Sequence, residues 1–134
     1  MTTIESERTH IAASDAELFN FLSDFNNVGK LMPSSVTDWQ SDTEGGSFTI
    51  KNMATIGLKI EERIPNRMIK MEKTKAPFDL SLFCHIAYVG DTESILQISL
   101  DADLNPMLKM MAETPLRNFV NILAGNCQKM FGAA

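Results

Sequence analysis

The sequence predicts an α+β domain: a curved antiparallel β-sheet of about seven strands wrapped around a long C-terminal helix, in the order one strand, two helices, six strands and a final helix. Three observations carry this reading. Residues 35–104 alternate apolar and polar side chains with a period of two, the spacing of half-buried strands. Short turn signals separate those runs, so successive strands pair as antiparallel hairpins. Residues 105–131, NPMLKMMAETPLRNFVNILAGNCQKMF, then return to helical spacing.

Taken in order, TTIESERTHI mixes polar and apolar residues with two threonines and reads as one half-exposed strand. In SDAELFNFLSDF, Ser14 is followed three residues on by Glu17, a capping box, with Leu18, Phe21, Leu22 and Phe25 at helical spacing behind it. NNVGKLMP fits a short second helix stopped at Pro33. SVTDWQSD is a strand, EGG a tight turn, and SFTIKN alternates Phe48 with Ile50. TIGLKIEERI places Ile56, Leu58, Ile60, Glu62 and Ile64 on one face before Pro65-Asn66 turns the chain into RMIKMEKT. FDLSLFCHIAYV puts Phe78, Leu80, Leu82, Cys84, Ile86 and Tyr88 together, and Gly90-Asp91 reverses it into ESILQISLDADL, whose Leu96, Ile98, Leu100, Ala102 and Leu104 share a face. Asn105 caps the last helix and Pro106 takes its first position. Beyond Pro115, the stripe Leu116, Phe119, Val120, Leu123, Cys127 and Met130 would lie on the sheet. Each such side chain contributes about 1.5–3 kcal/mol when buried, enough together to offset the roughly 3 kcal/mol cost of an interior proline.

The chain of 134 residues reads as one domain spanning 1–134. Its net charge of −5 and the absence of a basic run argue against nucleic acid and against a polybasic membrane patch. No run of about 18 apolar residues suggests an integral membrane segment, and MTTIESERTH does not resemble a signal peptide, so the expected location is cytoplasmic. Cys84 and Cys127 match no zinc spacing and read as buried reduced thiols, with a disulfide between sheet and helix left open. Neither a metal nor a cofactor is called for by any motif.

The segments HIAASDAELFNFLSDFNNVGKLMP, LKIEERIPNRMIKME and LDADLNPMLKMMAETPLRNFVNIL, in this element order, resemble the START and birch-pollen-allergen superfamily, the helix-grip or SRPBCC proteins. Within it the chain looks most similar to small bacterial members called polyketide cyclase/dehydratase-like or lipid-transport-like. The resemblance covers nearly the whole chain and implies a cavity between sheet and helix for a lipid, polyketide or other apolar molecule. It does not imply one chemistry, because the fold hosts carriers, cyclases and partner-binding modules. Plant members carry a longer glycine-rich loop between the second and third strands where this chain has only TEGGS.

Residues placed on the inward faces by this reading are Phe48, Ile50, Leu58, Ile60, Leu82, Cys84, Ile86, Ile98 and Leu100 from the sheet, with Met107, Met111, Phe119 and Leu123 from the helix. Their role would be apolar enclosure of a small ligand. Met107, Met110 and Met111 would sit at a pocket mouth beside a bend at Pro115; the alternative is that they fill gaps in an ordinary core. Chemistry is sparse. Cys84 and His85 are neighbours on a strand and point to opposite faces, which rules them out as a dyad. Glu62 is the single acid–base candidate, because an inward carboxylate would be desolvated; pairing with Arg67 or Lys70 is its alternative. Binding or carriage of an apolar molecule therefore leads. A cyclase or dehydratase using Glu62 comes second, and third is a filled-core interaction module, monomer or homodimer, docking through an outer patch of Phe83, Val89 and Met68.

Overall fold

Ser14 opens the first helix as expected: its Oγ accepts from the Glu17 N–H at 3.1 Å, and Asp15 and Glu17 place negative charge in the first turn of α1 (Asp15–Leu22). The chain breaks there rather than running on to Phe25. Asp24 caps a new short helix, α2 (Phe25–Gly29), by accepting from the Asn26 N–H at 2.9 Å. The computed structural model describes residues 1–132.

The predicted first strand is two strands, β1 (Thr2–Glu5) and β2 (Thr9–Ile11), making eight in all. Ser6 divides them. Its Oγ takes the Ile98 N–H at 2.9 Å, and its own carbonyl is taken by the Gln97 side chain at 3.1 Å, so side chains occupy positions a regular ladder gives to backbone.

The remaining strands are β3 (Val36–Ser41), β4 (Gly45–Ile50), β5 (Ala54–Ile64), β6 (Met68–Lys75), β7 (Leu80–Gly90) and β8 (Glu93–Ala102). All pairings are antiparallel, in the order β1-β8-β7-β6-β5-β4-β3, with β2 also on β8. The β3–β4 register shifts between Thr37 and Gln40, where Asp38 takes a left-handed φ of 56°. Asn52 and Asn66 make the β4–β5 and β5–β6 turns at φ of 65° and 62°, a conformation asparagine tolerates better than most side chains.

The helix α3 (Pro106–Met130) continues through Pro115 and lies on β1, β2 and β8, while α1 packs on β7 and β8, and α2 on β3 and β4. The core between them includes Ile4, Ile11, Leu18, Leu22, Phe25, Ile69, Met71, Leu96 and Ile98, all nearly inaccessible. The α3 stripe is buried from Ala112 to Cys127, but Met130, expected to continue it, is exposed. Likewise Tyr88 does not join the inward row of β7. It forms the last regular pair of the hairpin, with Ser94, just before a register shift, is 60% exposed, and donates its hydroxyl to Asp91.

Four aromatic rings cross the space between the helices and the β3–β4 end of the sheet. Phe25 stacks on Trp39 at 5.3 Å, Trp39 on Phe48 at 5.4 Å, and Phe48 on Phe119 at 6.3 Å. Trp39 Nε1 donates to Ser41 Oγ, whose hydroxyl donates in turn to Asn26 Oδ1. Gly29 lies against the indole so closely that a β-carbon there would sit 2.6 Å from Trp39 Cε2.

Cys84 and Cys127 are free and buried; loss of water around them pushes both thiols from 9.0 up to about 12, with Cys127 adding to the rise at Cys84. A thiol that ionises later in the fold than in the open chain lowers stability as pH climbs from 9.0 toward about 12. Native protein at pH 8 is therefore expected to leave both thiols unreactive toward an aryl disulfide reagent, with full reaction on adding urea. Gly29→Ala is expected to cost about 1–3 kcal/mol by overpacking the indole. Urea titration followed by fluorescence of Trp39, the sole tryptophan, reads that loss.

Candidate functional site

The two halves of α3 are held differently. Among the described residues, the side-chain hydrogen bonds from α3 to the rest of the chain come from Asn121, Asn126 and Gln128. They engage the Glu7 N–H at 2.9 Å, the Leu31 carbonyl at 2.8 Å and the His10 carbonyl at 3.0 Å. The first half has no such ties. Its Met107, Met110 and Met111 are 71%, 87% and 69% exposed. Pro115 marks the division: lacking an N–H, it cannot pair with the Met111 carbonyl as a helix otherwise would.

Beside this looser half lies a cleft of about 480 Å³. Leu108, Met111, Ala112, Pro115, Phe119 and Ile122 form its helix wall, with Asn118 among them. Ile50 at the end of β4, Lys51, Asn52 and Met53 of the β4–β5 turn, Pro77 and Phe78 of the β6–β7 turn, and Pro33 and Ser35 complete the lining. The turn is built locally: Met53 N–H bonds the Ile50 carbonyl at 3.0 Å, and Lys51 N–H bonds the Ser35 carbonyl at 2.9 Å.

Of the residues expected to enclose a ligand, Ile50, Met111 and Phe119 line this cleft. Phe48 stands behind Phe119, at stacking distance, as part of the aromatic column. Leu58, Ile60, Leu82, Cys84, Ile98, Leu100 and Leu123 face inward as expected, yet they pack into the core instead of lining the cleft. Ile86 lies by a separate hollow with Asp15, Arg67 and Tyr88. Met107 projects to solvent and does not line the cleft. Reasoning by alternation found inward faces but could not say which inward side chains have other side chains opposite them. One signal was present in the sequence: Pro33, Pro77 and Pro115 converge on one cleft.

Glu62 does not point inward. Between Ile60 and Glu62 the β5–β6 register slips by one residue, so Glu62 pairs with Lys70 on the outer face and is exposed. The same slip makes Ile64 41% exposed and turns Arg63 toward the helices. There its guanidinium forks onto Glu44 at 3.0 Å for both bonds and donates to the Ser23 carbonyl at 2.8 Å. On the outer face Phe83 is half-buried, with its ring stacked on His85 at 5.7 Å and Lys70 Nζ 5.8 Å from its centroid. That cover leaves Val89, 47% exposed, as the open member of the proposed outer patch, with Met68 half-buried. His85 Nε2 lies 3.0 Å from Ser99 Oγ. Among the described residues, no cluster of three or more His, Cys, Asp or Glu side chains is placed to hold a metal, and no helix is long and apolar enough to cross a membrane.

Comparison of the whole fold with solved structures decides the architecture. The protein XoxI from Bacillus cereus superposes with a TM-score of 0.78 at 13% identity, covering 98% of this chain and 96% of that one. A START superfamily protein from Mycobacterium smegmatis gives 0.70 at 16% identity, over 96% and 98% of the two chains. This chain has the START-like helix-grip fold. Norcoclaurine synthase from Thalictrum flavum shares that helix-grip architecture, with a TM-score of 0.76 at 12% identity over 99% of this chain and 87% of its own. A further structure of that synthase is a complex with dopamine and hydroxybenzaldehyde; it matches at 0.68 and 12% identity over 92% and 84% of the chains. No family model and no curated protein matches the sequence.

Because Glu62 lies on the outer face away from the cleft, Glu62→Gln is expected to leave the urea midpoint, and the affinity of any ligand held in the cleft, unchanged within about twofold.

Proposed function

We propose that this protein binds and carries a small apolar molecule in the cleft between residues 108–122 of α3 and the β4–β5 and β6–β7 turns. The observation that carries the reading is the cleft itself. At about 480 Å³ it falls within the roughly 300–1,000 Å³ of small-molecule sites, and most of its lining is apolar. Two aromatic side chains, Phe78 and Phe119, give it flat surfaces, and Met53 and Met111 supply side chains that adapt to different shapes. The helix-grip architecture adds support, since a synthase of this fold has been solved with two small aromatic molecules bound.

Carriage is favoured over catalysis by the composition of the wall. A cyclase or dehydratase needs a positioned acid and base, and among the described residues no carboxylate or histidine lines the cleft. A cytoplasmic setting agrees with the two unpaired cysteines.

Ala112 tests the reading directly, because it is 6% exposed on the helix wall and a phenyl ring in its place would project into the cleft. Nile red fluorescence is expected to rise and saturate with the wild-type protein. Ala112→Phe is expected to weaken that binding at least about tenfold while the circular dichroism spectrum stays native. An unchanged Nile red affinity in a folded Ala112→Phe protein would sink the proposal.

A further inference from the structure

Resting on the cleft reading above, we infer that the molecule held there is an anionic amphiphile, with its apolar body against the cleft wall and a carboxylate or similar head at Lys51. The polar side chains on the lining are Ser35, Lys51, Asn52 and Asn118. All four can donate hydrogen bonds, and the one charge among them is positive. This runs against the molecule as a whole, whose net charge is −5. A cation placed at the mouth of an apolar cleft on an acidic protein selects for negative charge at that point and repels a cationic head.

The lysine is available for that role. Among the described residues, Lys51 takes part in none of the ion pairs, whereas Lys70, Lys73, Arg63 and Arg117 each have a carboxylate within 4.0 Å. The Ser35, Asn52 and Asn118 side chains likewise make no hydrogen bond within the described residues, so their donors are uncommitted. The turn geometry groups three of the four. Asn52 at φ 65° reverses the chain next to Lys51, and the Lys51 N–H to Ser35 carbonyl bond of 2.9 Å ties the turn to the strand entering from Pro33. Residues carrying an ammonium, a hydroxyl and an amide thus line the same cleft from two backbone segments joined by that bond. Ile50 and Phe78 supply apolar surface in the same cleft. A carboxylate has acceptor sites for several donors at once, and a charge-assisted hydrogen bond is stronger than a neutral one. A neutral apolar molecule would leave these donors without any gain from the site.

The test compares two ligands with the same ten-carbon chain and different heads, decanoate and 1-decanol, by displacement of Nile red and by calorimetry at pH 8, where the acid is ionised. Wild-type protein is expected to bind decanoate about tenfold more tightly than decanol. Lys51→Met is expected to bring the two affinities within about twofold of each other, chiefly by weakening decanoate. Equal affinity of the wild type for both, or a preference that survives in Lys51→Met, would overturn the head-group assignment while leaving the cleft reading intact. Failure of both decanoate and decanol to bind or displace Nile red would overturn the cleft reading together with this one.

Discussion

Phe25, Trp39, Phe48 and Phe119 run from α2 through β3 and β4 to α3, and the placement of everything else on that side of the molecule depends on their contact. Each stacked pair contributes about 0.5–1.5 kcal/mol beyond its buried area. More consequential than the energy is the volume they occupy. A sheet that curves around a helix encloses more space at its open side than aliphatic side chains fill, and here four rings fill it. The rings join the far strands to a helix that rests chiefly on the opposite edge, β1, β2 and β8. The void that remains is displaced to where the column ends, along residues 108–122 of α3 on either side of Pro115.

That displacement explains the asymmetry of the helix. Past Pro115, Leu116, Val120, Leu123 and Cys127 are fully buried, and polar side chains fasten the helix to the loop after α2 and to the N-terminal strands. Before Pro115 only Ala112 is buried. A proline interior to a helix costs about 3 kcal/mol, chiefly through the lost hydrogen bond and the clash with the preceding turn. The buried stripe on its far side keeps the helix in place despite that cost. The missing N–H falls in the segment that borders open space, where a carbonyl can find another donor.

The fold was legible because its signals are local and repeated. Ser14 with Glu17, the alternation of Leu80 through Ile86, and Asn105-Pro106 each determine an element from a few neighbouring residues. The failures came where a long-range event interrupts a local rule. Ser6 splits a strand because its hydroxyl and carbonyl are claimed from β8, and the slip after Ile60 reverses which of Glu62 and Arg63 faces the helices. Neither residue looks unusual in its own window. The site was less legible for a related reason. Inward-facing residues such as Leu82 and Leu100 are distinguished from cleft-lining ones such as Ile50 only by what stands opposite them, which strand periodicity does not encode.

The interruptions at Ser6 and Asp38 have a bearing on how copies of this chain meet. One side of the sheet ends in β1 and β2 along β8, the other in β3. A foreign strand that adds to a sheet needs a long uninterrupted row of free N–H and C=O groups. On the first border that row is broken at Ser6, and on the second it is bent by the register shift around Asp38, whose left-handed backbone twists the border strand. The molecule thus resists growth by strand addition from both ends, and a fold rich in β-structure stays closed to the polymerising route that flat sheet borders invite.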